Sequence, residues 1–137
     1  MKEPINPNVG IVEKLFEDFS RGDMSGIMAA FSEDICWTYP DGSPAAGQHR
    51  GKKEVLDAMA VQARAYPAGL QMRDLTVHGD RDRAFAEYKW SATNARGSSV
   101  DEHALVVFEI RDGLVVVVRD FNMGKERTAC GSQPLEK

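Results

Sequence analysis

Apolar residues in the first part of the chain recur at helical spacing. Ile11, Val12, Leu15, Phe16 and Phe19 fall on one face of a helix, and Asn6-Pro7 supplies its start, Asn as N-cap and Pro at the first helical position. Arg21-Gly22-Asp23 interrupts the period. Asp23 is suited to cap a second, short helix that carries Met24, Ile27, Met28 and Phe31 on one side and stops at Ser32-Glu33-Asp34. The period then shortens to that of a strand. In ICWTY, residues 35–39, the residues Ile35, Trp37 and Tyr39 share one face, and Cys36 and Thr38 the other. A connection rich in Pro and Gly runs to Gly51. Residues 52–64 return to helical period with a stripe of Val55, Leu56, Met59, Ala60 and Ala63, which Pro67 and Gly69 end.

Beyond that point the pattern is all strand. Segments 70–78, 83–93, 101–111 and 114–123 are candidates, separated by Gly79-Asp80, by Asn94 to Ser98 and by Arg111-Asp112-Gly113. Asp-Gly between two apolar runs is a strong hairpin signal. Helices first and strands later predict an α+β fold, with three N-terminal helices packed on one face of a bent, mostly antiparallel sheet. ALVVF (104–108) and LVVVV (114–118) are apolar at both parities, whereas a strand with one solvated face alternates. The helices cover one face only. A second copy of the chain would cover the other, so the pattern predicts a homodimer through the sheet; the alternative cover is the C-terminal tail.

Composition narrows the class. The 137 residues suit one domain, expected over 1–124, with a polar tail over 125–137 that is expected to be loose. A net charge of −4 without a basic block argues against nucleic acid as a partner. No apolar run is long enough to span a membrane, and the opening MKEPINPN lacks a signal-peptide core, so the expected location is cytoplasmic. Cys36 and Cys130 read as free thiols, and His49, His78 and His103 are too scattered for a metal site, so neither metal nor cofactor is expected.

Three pieces of sequence then fall into a familiar order: SRGDMSGIMAAFSEDICW, a Pro/Gly loop closing in HRG before a helix, and FEIRDGLVVVVRDF. Over roughly residues 9–123 the chain resembles the SnoaL-like polyketide cyclase family of the NTF2-like superfamily, whose relatives include ketosteroid isomerase and limonene epoxide hydrolase. The resemblance implies a cone in which the sheet wraps around the helices and leaves a deep apolar pocket. It further implies one or two carboxylates in that pocket, often on the last strand, and usually no cofactor. This superfold hosts enzymes, binding modules and scaffolds alike.

Asp120 is the first candidate for chemistry. Val116, Val118, Asp120 and Asn122 share one face of the last strand by the period-2 rule, and a carboxyl beyond two valines would be desolvated and suited to general acid-base work. The resemblance supports the choice through Arg119-Asp120-Phe121. The opposite parity, with Val115, Val117, Arg119 and Phe121 inward, is equally apolar and stays open. Glu102 and His103 come next, on opposite faces. Strict alternation puts Glu102 inside as a substrate contact, and a bulge would instead turn His103 inward as a second acid-base or oxyanion donor. Tyr39 is a candidate oxyanion donor. Trp37, Tyr88, Trp90 and Asn122 are candidate substrate contacts, the aromatics reading equally as core. His49 reads as a solvated loop residue. The Arg and Asp pair of limonene epoxide hydrolase has no counterpart at Lys89 and Ser91 or at Asp101 and His103.

These residues point to a cofactor-independent enzyme of cyclase or isomerase type, abstracting a proton α to a carbonyl of an apolar, oxygenated small molecule. The alternatives are a small-ligand-binding module with the same pocket and a dimeric interaction domain whose pocket is vestigial.

Overall fold

The computed structural model describes residues 6–123. Among them the chain forms three helices and a six-stranded sheet. Helix α1 (Pro7–Arg21) begins where Asn6 accepts a hydrogen bond from Asn8 N at 2.8 Å, and ends at Gly22, whose φ of 69° is the left-handed conformation that glycine supplies without strain. Asp23 then caps α2 (Met24–Ala30) through Gly26 N. Helix α3 (Gly51–Ala65) follows strands β1 (Phe31–Tyr39) and β2 (Gly47–Arg50). The remaining strands are β3 (Gln71–Asp80), β4 (Arg83–Thr93), β5 (Ser99–Arg111) and β6 (Leu114–Asn122). The expected tail over 125–137, and Cys130 with it, lies outside the described residues. No helix of the described residues is long and apolar enough to cross a membrane.

The strands lie in the order β2-β1-β6-β5-β4-β3. The C-terminal four form the expected antiparallel meander, and the β5–β6 hairpin closes on Asp112 and Gly113, both at positive φ (54° and 79°), as a tight two-residue turn of this hand requires. β1 runs parallel to β6, and β2 is an edge strand paired antiparallel to β1 through Trp37↔His49. Two expectations change here. Phe31 is not on a helix: it opens β1, pairs with Val115 and is fully buried, because long-range pairing outweighs the polar run that follows it. The Pro/Gly connection also holds a strand at 47–50, whose sequence GQHR carries no strand formers and which forms only against β1.

The core fills the concave face of the sheet. Phe16 of α1 meets Tyr88 and Phe108 edge-on at centroid separations of 5.4 and 6.1 Å, and Phe19 meets Trp37 at 6.4 Å. On α3 the buried line is Val55 and Ala58 with Met59 and Gln62 half-buried, whereas Leu56 is 40 % exposed and Ala60 and Ala63 face solvent. The expected stripe is thus rotated, since alanines along this helix mark no face by themselves.

A bulge in β6 resolves the doubly apolar run. Ile110 pairs with Val115 and Glu109 with Val117, so Val116 is the extra residue and the inward parity shifts at that point. Val115 and Val118 are both fully buried. Val116 is therefore not part of the inward row that continues as Val118, Asp120 and Asn122.

Candidate active site

Three rungs across the inner face carry the site. The first is Asp120–Val106–Ala86, the second Asn122–Ala104–Tyr88, and the third Glu102–Trp90–Met72. The alanines leave room where larger side chains would fill the cone. From the other side, the parallel register Trp37↔Val118 and Thr38↔Arg119 brings Tyr39 alongside Asp120.

These rungs floor a cavity of about 80 Å³. Asp120, Tyr39 and Tyr88 stand at its inner end, and Glu102, Trp90, Tyr66 and Leu70 toward the outside. Its roof is the connection from Pro40 to Ala46 and the C-terminal turn of α3. Pockets for drug-sized ligands run to roughly 300–1,000 Å³, so entry of such a molecule requires the roof to move. Two side chains hold the roof, Gln62 of α3 and His49 of β2. Gln62 Oε1 accepts from Ser43 Oγ at 2.7 Å and from Ala45 N at 3.3 Å. Replacing Gln62 by Ala removes both bonds, and the expected result is a roughly tenfold loss of hydrogen-exchange protection at the Ala45 amide. Unchanged protection would show that the loop is held by its own turns.

Burial dominates the electrostatics. Desolvation pushes the Asp120 carboxyl up to about 7, and the indole N–H of Trp37, which leans toward it, holds the rise back in part. That approach falls short of a full hydrogen bond: Trp37 Nε1 is buried without a partner of proper geometry. Burial raises the Tyr39 and Tyr88 hydroxyls as well, and the negative charge of Asp120 adds to both. Both tyrosines stay protonated donors beside a carboxyl that titrates near neutrality. Tyr39 is held between the stacked ring of Trp37 at 5.5 Å and the edge of His49 at 5.8 Å. His49 is half-buried on β2, its Nε2 2.7 Å from the Ala45 carbonyl, and not the solvated loop residue expected.

Of the other candidates, Tyr88, Trp90, Glu102 and Asn122 line the cavity. Trp37 stands behind Tyr39 and does not line it. His103 is on the opposite face of β5, where its Nε2 lies 2.7 Å from Glu87 Oε2. Strict alternation holds at that end of the strand, and the structure does not bring His103 to the pocket. Ser43, Gln62 and Tyr66 were not among the sequence candidates. Gln62 is seven residues from Val55 on α3, and Tyr66, the residue that caps the helix, is four beyond Gln62, so helical spacing continues the buried line through them. Among the described residues no group of three or more His, Cys, Asp and Glu side chains could hold a metal ion.

The fold recurs in solved structures. An NTF2-like protein of unknown function from Burkholderia pseudomallei is 23% identical, with 86% of this chain and 92% of that one covered at a TM-score of 0.78. A proposed polyketide cyclase from a Silicibacter species is 23% identical, with 88% and 92% covered at 0.74. TerC, crystallized with polyporic acid, is 19% identical, with 85% and 92% covered at 0.75. At such identities the likeness is one of fold. No functionally curated protein matches the chain. The model of the SnoaL-like domain matches residues 12–118. With that match over most of its length, and with three helices cupped in a six-stranded mixed sheet, the chain belongs to the SnoaL-like domain family and has the NTF2-like fold.

Proposed function

We propose that the protein is a cofactor-independent enzyme of cyclase or isomerase type that removes a proton α to a carbonyl of a small, mainly apolar molecule. The observation that carries this reading is Asp120, a carboxyl titrating near 7 beside two protonated tyrosines at the inner end of a cavity. Asp120 takes the α proton. Tyr39 donates to the enolate oxygen that develops, with Tyr88 as the second hydroxyl within reach, and Trp37 steadies the ionised carboxylate from behind. The enolate then closes a ring by attack on a second carbonyl or is reprotonated at another carbon. The SnoaL-like membership and polyketide-cyclase-like neighbours support this chemistry as a class. The test is exchange of the methyl hydrogens of acetophenone in heavy water, followed by NMR. Exchange above the buffer rate, rising with pH around 7, is expected. Its absence with every aryl and alkyl ketone tried would leave the ligand-binding reading standing instead.

The working unit in this reading is a homodimer through the outer face of the sheet. Leu105, Val107 and Val117 of that face are half-buried already, and Phe121 and Met123 are 46 % and 49 % exposed. The Arg119–Glu109 ion pair at 2.8 Å stands on the same face. Sedimentation at micromolar concentration is expected to give a dimer, and Leu105→Glu a monomer; a monomeric native protein would overturn this assembly. The free Cys36 fits work in the cytoplasm, where thiols stay reduced.

A further inference from the structure

The charges of this sheet are divided between its two faces. The ion pairs Arg119–Glu109, His103–Glu87 and Arg73–Asp101 belong to the outer face. Among the described residues the cavity is lined by two carboxylates, Asp120 and Glu102, and by no Lys, Arg or His. A substrate carboxylate or phosphate would enter this cavity past two carboxylates, Glu102 and Asp120, with no cation among the described lining residues to meet it. A neutral or positively charged ligand meets no such barrier.

The outer rung is more specific. Glu102 lies directly across from Trp90 on the inner face, and Tyr66 packs its ring edge against Trp90 at 5.5 Å and 69°. The Glu102 charge reaches Tyr66 and, after burial, is the second cause that raises its hydroxyl pKa. Among the described residues Glu102 has no ion-pair partner. Two aromatic rings and an unpaired carboxylate around one opening form a site for an alkylammonium group, bound by the ring faces and by charge.

We propose that the mouth of the cavity, formed by Glu102, Trp90 and Tyr66, selects substrates that carry a protonated amine beyond the carbonyl on which Asp120 acts. This inference rests on the Asp120-centred reading above and names its substrate class. The spacing is compatible. Glu102 and Val106, the partner of Asp120, are four residues apart on β5, roughly 13 Å at the usual strand rise. An aryl ketone with an aminomethyl group para to the carbonyl spans that gap once a hydrogen bond is added at each end.

Three para-substituted acetophenones test it: the dimethylaminomethyl compound, the isobutyl compound of the same shape without charge, and the carboxymethyl compound. Calorimetry on the native protein is expected to rank them in that order, the amine binding about tenfold tighter than the isobutyl compound and the carboxylate weakest. In Glu102→Gln the ratio of amine to isobutyl affinity is expected to fall to about two or less, and in Glu102→Asp to recover in part. The ratio within one variant is the readout, so a general loss of folding does not imitate it. On the native protein, added salt is expected to erode the amine preference and leave isobutyl binding unchanged. Equal binding of amine and isobutyl compounds, or a preference that survives in Glu102→Gln, would overturn the proposal. Exchange of the isobutyl ketone's methyl hydrogens reports separately on Asp120. Exchange without amine preference removes this inference and leaves the enzymatic reading, and amine preference without exchange does the reverse.

Discussion

Asp120→Asn is expected to abolish ketone exchange and to stabilise the fold at the same time. The amide keeps the shape of the neutral carboxyl but takes no proton, and loss of a positioned general base costs roughly 10²–10⁴-fold in rate. The gain in stability follows from linkage. Burial raises the folded-state carboxyl from 3.8 to about 7, so the folded protein binds this proton more tightly than the unfolded chain does. The stability it contributes is complete below the unfolded value near 3.8, and is lost as pH rises through about 7. Asn cannot ionise and keeps its share at every pH. The variant should therefore equal the native protein near pH 4 and exceed it increasingly up to about pH 8, by as much as ~4 kcal/mol. Urea unfolding at several pH values measures the difference. On the proposed reading, kcat/KM of the native protein should rise with pH around 7 and level off above it. Parallel stability curves for the two proteins would mean that Asp120 is solvated, and the base assignment would fall with them.

The second large effect is far from the cavity. Asp18 of α1 is 1 % exposed, and both its oxygens are engaged, Oδ2 by Lys14 Nζ and Oδ1 by Arg21 Nη2, each at 2.7 Å. Gly26 of α2 comes so close that a Cβ there would stand 2.7 Å from Asp18 Oδ2, so any side chain at this position must displace the carboxylate. Lys14 and Arg21 reach in from solvent, with 65 % and 56 % of their side chains exposed. The two sides of this cluster are therefore unequal. Asp18→Ala releases two cations that water can solvate, at an expected cost of about 1–2 kcal/mol. Replacing Lys14 and Arg21 together by Met keeps the packing and leaves the carboxylate sealed and unpaired, at an expected cost of about 3–5 kcal/mol. Urea midpoints for the two variants give the order. The reverse order would show that Asp18 finds water once its cations are gone.

On the proposed reading, the outer half of the cavity and its roof bear on specificity rather than on proton transfer. Gln62 of α3 bonds to the roof, and Glu102 stands two rungs from Asp120 in the sheet register. Variants at these two positions are expected to act mainly on affinity and on ligand entry.

Local patterning was enough for much of this protein. The N-caps at Asn6 and Asp23, the 83–93 strand, the Asp112-Gly113 hairpin and the α+β order depend on residues a few positions apart, and a single chain displays such relations openly. The inward alternation of Ile35, Trp37 and Tyr39 belongs with them. Tertiary structure decided what depends on distant partners. β2 exists because β1 offers it an edge, and Phe31 is a strand residue because Val115 stands beside it. The facing of Asp120 was undecidable in a run of four valines, because either parity buries the same apolar side chains; one extra residue at Val116, visible only in the pairing with β5, turned the carboxyl inward. Gln62 and Tyr66 lie at helical spacing from Val55, but the alanines offer several such lines, and packing of α3 decided which one faces the site. Sequence by itself determined the helices, the C-terminal meander and the resemblance to the family. The tertiary structure decided which side chains share a cavity, since that depends on register and packing between segments far apart in the chain.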